Sequence, residues 1–191
     1  MFSRRKRRVN RAIKILLLAD GLTLVAGAML GPIYALFVEK IGGDLLDASL
    51  TGMIFALVGG FTVLIAGRYS DRLKQPKHLI ITGYALSALG FFGYLFVGSI
   101  WQLLVIQIIL GFGEAIRSPA YDGIYSRHLD KKKEATEWGA WESTYYFTSA
   151  FGAVVGGYLA SEFGFDYIFV IMAVLSFAAA AYIYSLPRKL L

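Results

Sequence analysis

Apart from Lys14, which belongs to the basic N-terminus, five acidic or basic side chains occur inside stretches of sequence that are otherwise apolar: Asp20, Glu114, Arg117, Asp122 and Glu142. Apolar surroundings disfavour a charged carboxylate, so such a group binds a proton, a cation or a basic side chain. Arg117 follows Glu114 by about one helical turn, and one arginine cannot neutralise four carboxylates. The spacing therefore predicts either a permanent Glu114–Arg117 ion pair or a Glu114 carboxyl group that binds a proton or a cation.

The sequence lacks the residues that catalysis, disulfide formation or metal binding would need. The 191-residue chain has no cysteine and two histidines, which excludes disulfides, cysteine nucleophiles and thiolate or histidine metal centres. No His-Asp-Ser set and no phosphate-binding glycine loop falls on one side of the predicted membrane. We therefore expect no metal, no cofactor and no enzymatic activity. The net charge of +6 is concentrated between the apolar stretches, which argues against a nucleic-acid partner.

Six apolar stretches are long enough to cross a lipid bilayer as helices, which takes roughly 20 residues. They cover residues 12–38, 48–66, 79–97, 101–125, 138–160 and 167–186. The chain is 57% hydrophobic, whereas soluble domains are about 45–50% apolar. Glycines at positions 42, 43, 98 and 164 predict turns between the stretches. The sequence therefore predicts an all-α integral membrane protein, with one six-helix transmembrane domain over residues 1–191.

The basic residues predict the orientation of these helices. Seventeen of the 19 lysines and arginines lie at the termini or in the second and fourth connections, which share one side of the membrane. This bias predicts a multi-pass protein of the plasma membrane, or of the inner membrane in a bacterium, with both termini cytoplasmic. The arginine-rich residues 4–8 are interpreted as a topology anchor. A signal peptide is the alternative, but Asp20 interrupts the apolar run, and the run is longer than the apolar region of a signal peptide.

The first and fourth spans resemble each other. Gly31-Pro32-Ile33-Tyr34 in the first span corresponds to Ser118-Pro119-Ala120-Tyr121 in the fourth, and both spans carry ionisable residues. The two spans would run in opposite directions across the membrane. The pattern predicts two inverted three-helix repeats, at about residues 12–98 and 101–187, which are typical of secondary transporters.

Polar and small residues form one face of three of the predicted helices. The faces consist of Asp20, Thr23, Gly27, Gly31 and Tyr34 in the first span, Gln107, Gly111, Glu114, Ser118, Tyr121 and Tyr125 in the fourth, and Glu142, Tyr145, Ser149, Gly152 and Gly156 in the fifth. They indicate either a water-filled cavity or hydrogen bonds between helices. We predict a solute or ion pathway formed by Asp20, Gln107, Glu114, Arg117, Tyr121, Glu142 and Tyr145. The third and sixth spans, without such a face, are predicted to face lipid.

Two pairs of glycines are spaced for close packing of helices. Gly27 and Gly31 form one pair, and Gly152 and Gly156 form the other. The second pair predicts a flat surface on the fifth span that meets the second span of another copy, so that a homodimer has its two-fold axis along the membrane normal.

The connection after the second span carries a recognisable motif. It contains Gly67, three further residues and then Asp71-Arg72 before a basic cluster, and the fourth span contains Gln107-x-x-x-Gly111-x-Gly113. These patterns resemble motifs of the major facilitator superfamily. Lys74 replaces a glycine that is usual in the first motif, and Gln107 replaces an arginine that is common in the second.

The resemblance implies the N-terminal half of a twelve-helix transporter fold. In that fold the first and fourth helices line a central cavity, the second and fifth face the other half, and the third and sixth lie outside. The connection motif implies a cytoplasmic gate, in which charge pairs hold the helices together. We assign to this gate Gly67, Asp71, Arg72, Asp122 and Arg127.

The leading functional hypothesis is a half-size secondary transporter of a small solute. It would work by alternating access, either as a homodimer or with a second half. The excess of acids over bases within the spans favours proton or cation coupling. The alternatives are an inactive half and a membrane scaffold or regulatory subunit without transport.

Overall fold

The computed structural model describes residues 10–187 and residue 190, and the described part of the chain is helical with short connections. The arginine-rich residues 4–8, interpreted as a topology anchor, lie outside the described residues. The helices are α1 Arg11–Leu30, α2 Tyr34–Lys40, α3 Leu45–Ser70, α4 Lys77–Gly93, α5 Ile100–Arg127, α6 Glu134–Phe163 and α7 Phe165–Ser185, with 3-10 turns at Gly31–Ile33 and Tyr94–Phe96.

The first predicted span is a broken helix. The 3-10 turn Gly31–Ile33 separates α1 from α2, and Pro32 is the cause, because it has no backbone N–H and its ring clashes with the preceding turn. The break brings Tyr34 to the start of α2. The first span therefore consists of α1, the turn and α2, and the remaining five spans are α3, α4 with its final turn, α5, α6 and α7.

The helix ends follow from local sequence. Asn10 accepts a hydrogen bond from the backbone N–H of Ala12 at the start of α1. Asp44 and Asp47 form a capping box at the start of α3. Gly42 and Gly164 adopt φ angles of 86° and 84°, which a residue with a Cβ rarely adopts. Gly164 alone connects α6 with α7, as the predicted turn required.

The helices have the dimensions of membrane spans. Five of them are long and apolar enough to cross a bilayer: the broken first helix, α3, α4 with its turn, α5 and α7. The remaining helix, α6, has 30 residues and is therefore about 45 Å long, but its tyrosines, serines and threonines lower its hydropathy. α6 packs along α1. The all-α membrane fold class is confirmed.

The helices pack as a row whose order is α3, α5, α4, α7, α1 and α6. Exchanging α1 with α5, α3 with α6 and α4 with α7 reproduces the same set of neighbours. This symmetry is the one expected of two inverted repeats. α1 and α5 touch each other only over a short length, so a cavity remains between them.

Two apolar cores lie at the two ends of the bundle. The α3–α4 and α5–α6 connections lie at the end of the bundle where α1 begins, and we call this end the basic end. The core at the basic end includes Leu16, Tyr84 and Ile124, and the core at the other end includes Phe37 and Phe169. Phe91 and Met172 of the second core also line the cavity.

The helices most exposed in the isolated chain are α3 and α6. Few side chains of α3 or α6 are buried, whereas α4 and α7 occupy the middle of the row and each bury one face. The prediction that the third and sixth spans only face lipid is therefore incomplete. Ser87 of α4 and Met172 of α7 reach the cavity. Lipid-facing and core-facing apolar residues have the same chemistry, so the sequence does not separate them.

The glycine pairs differ from the prediction. Gly152 and Gly156 are buried against α1 of the same chain, so they do not form a surface for a second copy. A Cβ on Gly152 would stand 2.7 Å from Cβ of Ala28. Gly27 and Gly31 have open space where a Cβ would be, and both line the cavity. The close packing is thus internal, between α6 and α1.

Gly156→Ala is expected to destabilise the protein, because the added Cβ would overlap the backbone of Met29. Overpacking of this kind costs about 1–3 kcal/mol. The matched control is Gly157→Ala, since a Cβ on the neighbouring glycine meets nothing within 4 Å. Thermal unfolding in lipid nanodiscs should show a lower midpoint for Gly156→Ala alone. Equal midpoints would contradict the internal packing of α6 on α1.

Candidate functional site

A buried ion pair joins the first and fourth spans. Nη1 of Arg117 donates to Oδ1 of Asp20 at 2.5 Å, and the two side chains are only 8% and 2% exposed. Asp20 is the tenth residue of α1, and Arg117 is the eleventh from the end of α5. The two helices are antiparallel, so both residues lie about 15 Å from the basic end. A charged residue at this depth requires a partner or water.

Glu114 binds the other side of the same guanidinium. Both of its carboxylate oxygens lie 2.6 Å from Nη2 of Arg117, one turn along α5. The side chain of Glu114 is nevertheless 45% exposed, and it lines the cavity. The cluster therefore contains two carboxylates and one guanidinium, and one of the carboxylates remains accessible.

Two tyrosine rings enclose the guanidinium. Cζ of Arg117 lies 5.3 Å from the ring centre of Tyr84 and 5.8 Å from that of Tyr121, within the range of cation–π contacts. The hydroxyl of Tyr84 also donates to Asp20 at 3.3 Å. Within the described residues Nε of Arg117 has no hydrogen-bond partner. The contacts with Asp20, Glu114 and the rings thus hold Arg117 in place.

A second polar cluster surrounds Gln107. Its amide nitrogen donates to the hydroxyl of Tyr34 at 2.6 Å and to that of Tyr94 at 3.3 Å. The Tyr34 hydroxyl is also hydrogen-bonded to Oγ1 of Thr51 at 2.7 Å. The cluster connects α2, α3, the end of the third span and α5, and all four side chains are uncharged at neutral pH.

A cavity of about 580 Å³ connects the two clusters. Its volume is within the range of small-molecule sites. Glu114 and Arg117 line one part, Tyr34 and Gln107 line another, and Tyr145 of α6 contributes to the wall. Each of the helices α1 to α7 contributes at least one residue, so the tertiary fold as a whole forms the cavity.

Three residues predicted on the pathway do not line the cavity, and Asp20, which is buried as a partner of Arg117, is one of them. Tyr121 is buried in the core at the basic end and stacks on Tyr125, outside the lining of the cavity. Glu142 is on the exposed surface of α6, and it does not line the cavity either. Residues spaced three and four positions apart cover a broad sector of the helix surface, so their spacing does not show which part of that sector faces the cavity. For Glu142, the packing of α6 against α1 decides this.

The residues predicted for the gate lie at the basic end. Gly67 is next to Pro119, with 3.9 Å from an added Cβ to the proline Cβ. The remaining four are exposed, and no ion pair among them occurs in residues 10–187: Asp71, Arg72, Asp122 and Arg127. The predicted charge pairs of the gate are therefore not formed within one six-helix unit.

Three residues of the two clusters were not predicted from the sequence: Tyr84, Tyr94 and Thr51. The two tyrosines belong to the third span, which has no polar stripe, and a tyrosine in an apolar span resembles phenylalanine. A signal was present, because a hydroxyl buried within a span requires a hydrogen-bond partner.

The sequence of residues 16–190 matches the family model of the Major Facilitator Superfamily. The chain belongs to this superfamily. The match covers nearly all of the chain, and it confirms the resemblance inferred from the Asp71-Arg72 connection and the glycines of the fourth span. The six helices therefore correspond to half of the major facilitator fold.

Individual superfamily members differ in length. An uncharacterized MFS-type transporter of Bacillus subtilis, YitZ, is 24% identical over 80% of this chain and 92% of its own length. The multidrug resistance protein MdtG of Dickeya zeae is 27% identical over 86% of this chain but only 41% of its own length. The uncharacterized MFS-type transporter YuxJ of Bacillus subtilis is 26% identical over 85% of this chain and 42% of its own length. The chain thus spans about two fifths of the length of the longer relatives.

Proposed function

We propose that this chain forms one half of a secondary active transporter for a small solute. A second six-helix unit, either another copy of the chain or a separate half, completes the pathway, and the two units alternate in opening it to each side of the membrane. Membership of the superfamily and the polar cavity support this proposal. The relative MdtG is described as a multidrug resistance protein, which is in keeping with a small solute.

The exposed carboxylate of Glu114 carries the proposal. A charged group that is 45% exposed halfway along a membrane helix requires water, an ion or a solute beside it. Asp20 satisfies Arg117 independently, so Glu114 is able to release Arg117 and bind a proton or a cation. An inactive half or a scaffold, the alternatives left by the sequence, has no need to maintain such a group.

The second unit would face α3 and α6. These two helices stand at the opposite ends of the row and form two walls of the cavity. With both termini in the cytoplasm, the basic end faces inward, and we propose that Asp71, Arg72, Asp122 and Arg127 pair with charged groups of the second unit. The gate would then form between units.

A cysteine cross-link tests whether the second unit is another copy. Leu57 of α3 and Phe147 of α6 are exposed, and each lies 13 residues from the basic end of its helix. In a two-fold dimer with α3 beside α6, Leu57→Cys with Phe147→Cys should give a covalent dimer on mild oxidation in membranes. The chain has no other cysteine. The control pairs Leu57→Cys with Val174→Cys, an exposed position of α7 at a similar depth. Cross-linking that is equal in both pairs contradicts this arrangement.

Solute flux tests the function itself. The protein is reconstituted into liposomes that contain a pH-sensitive dye, and labelled cations, zwitterions and neutral polyols are supplied outside under an imposed proton gradient. We expect uptake of at least one solute, accompanied by a change in internal pH. Reconstituted dimers that move none of the solutes and no protons would favour the scaffold alternative.

A further inference from the structure

The cavity has two chemically different ends. The first is the ionic cluster of Asp20, Glu114 and Arg117, which carries two acidic groups against one basic group. The second is the uncharged cluster of Gln107, Tyr34, Tyr94 and Thr51. Apolar side chains line the space between them, among them Phe91, Leu110 and Met172.

Gln107 has a polar group available to a ligand. The side chain is 6% exposed and lines the cavity. Its nitrogen is bonded to the two tyrosine hydroxyls, whereas its amide oxygen has no partner in the described part of the chain and is not sealed from the cavity. Tyrosine hydroxyls both donate and accept, so in either orientation of the amide one polar group is bonded and the other is free.

The distance between the two ends follows from the helix. Gln107 and Glu114 are both in α5, and seven residues make nearly two full turns. The two side chains therefore share one face, about 10 Å apart along the axis. A ligand that engages both must hold its two polar groups at about this separation.

We infer that the cavity selects an amphipathic solute that has a cationic group at Glu114 and an uncharged hydrogen-bonding group, such as a hydroxyl or a carbonyl, at Gln107. The excess of carboxylates attracts the cationic group. The buried amide of Gln107 disfavours a ligand without a polar end, because such a ligand leaves the amide desolvated and unpaired. The inference rests on the proposed function, in which this cavity holds the solute.

Binding of paired probes tests the subsite. The probes are ω-aminoalkanols of increasing length and the n-alkylamines with the same number of heavy atoms. Binding to the protein in nanodiscs is measured by calorimetry, with protein-free nanodiscs as the blank for partitioning into lipid. The aminoalkanol whose amine and hydroxyl are about 10 Å apart should bind about five- to tenfold more tightly than the matched alkylamine.

Variants of Gln107 test whether its amide is the group that binds the hydroxyl of the probe. Gln107→Leu should abolish the preference for the aminoalkanol and retain binding of the alkylamine. Gln102→Leu, a change of the same kind at an exposed position near the start of α5, should retain the preference. Gln107→Asn keeps the amide on a shorter side chain, so the optimum should move to a longer aminoalkanol. Thermal unfolding confirms that each variant is folded.

The outcomes separate the subsite from the proposed function. A Gln107→Leu protein that is folded and keeps the full preference overturns the subsite, and so does an absence of any length optimum in the parent. Length-dependent binding without flux in liposomes supports the subsite and contradicts the transporter. Flux of a cation without any preference for the aminoalkanols supports the transporter and contradicts the subsite.

Discussion

Asp20→Asn should lower the free energy of unfolding by about 3–5 kcal/mol, the cost of leaving one charge of a buried pair without its partner. The substitution preserves the size of the side chain and removes the charge that faces Nη1 of Arg117. Arg117 would keep only Glu114, whose carboxylate is partly exposed and therefore screened by water. We expect this loss to be among the largest for any single polar substitution in the chain.

A second substitution separates charge from packing. Arg117→Gln added to Asp20→Asn removes the unpaired guanidinium, so the double variant should be more stable than Asp20→Asn alone. Asp122→Asn is the control, since Asp122 is exposed on the same helix and forms no ion pair within the described residues. Unfolding midpoints in nanodiscs give the measurement. A double variant no more stable than Asp20→Asn would show that the buried pair is not a unit.

Glu114→Gln should abolish uptake driven by a pH gradient while leaving exchange of solute at equal concentrations intact. Glutamine fills the same space but cannot take up or release a proton. The sequence alone left a structural pair as an equal alternative, in which the loss of Glu114 leaves Arg117 unpaired. In the structure Asp20 remains as a buried partner of Arg117, so we expect a loss of stability much smaller than that of Asp20→Asn.

Glu142→Gln is the matched control for this experiment. Glu142 is another carboxylate within a predicted span, but it lies on the exposed surface of α6, outside the cavity. Uptake in liposomes should be unchanged by this substitution. Gradient-driven uptake that survives Glu114→Gln at the parental rate would exclude Glu114 as the proton carrier, and destabilisation as large as that of Asp20→Asn would indicate a structural pair.

The site was only partly predictable, and the helix contacts show why. Glu114 and Arg117 are neighbours within one helix, so their spacing in the sequence was sufficient to pair them. Asp20 lies 97 residues from Arg117, and the two meet only because antiparallel helices place them at the same depth. Tyr84 and Tyr94 were overlooked since their hydroxyls are a small part of a hydrophobic side chain.

The glycine pairs show the same limit of prediction from the sequence. Both pairs have the spacing of close helix contacts, but only Gly152 and Gly156 make one, and they make it with α1 of the same chain. Gly27 and Gly31 instead leave room for the cavity. Spacing identifies a face that permits close approach, and it contains no information about which helix approaches.

The sequence by itself determined that this is a helical membrane protein of the major facilitator superfamily. Hydropathy, turn glycines and the connection motif are local properties, and a bilayer permits few alternatives to a helix for an apolar segment of this length. Only the tertiary structure decided that Arg117 binds Asp20 as well as Glu114, that Glu142 faces outward, and that an uncharged cluster lies opposite the ionic one. In a membrane protein nearly every face of a helix is apolar, so the rotation of each helix depends on the packing of small and polar groups against particular neighbours.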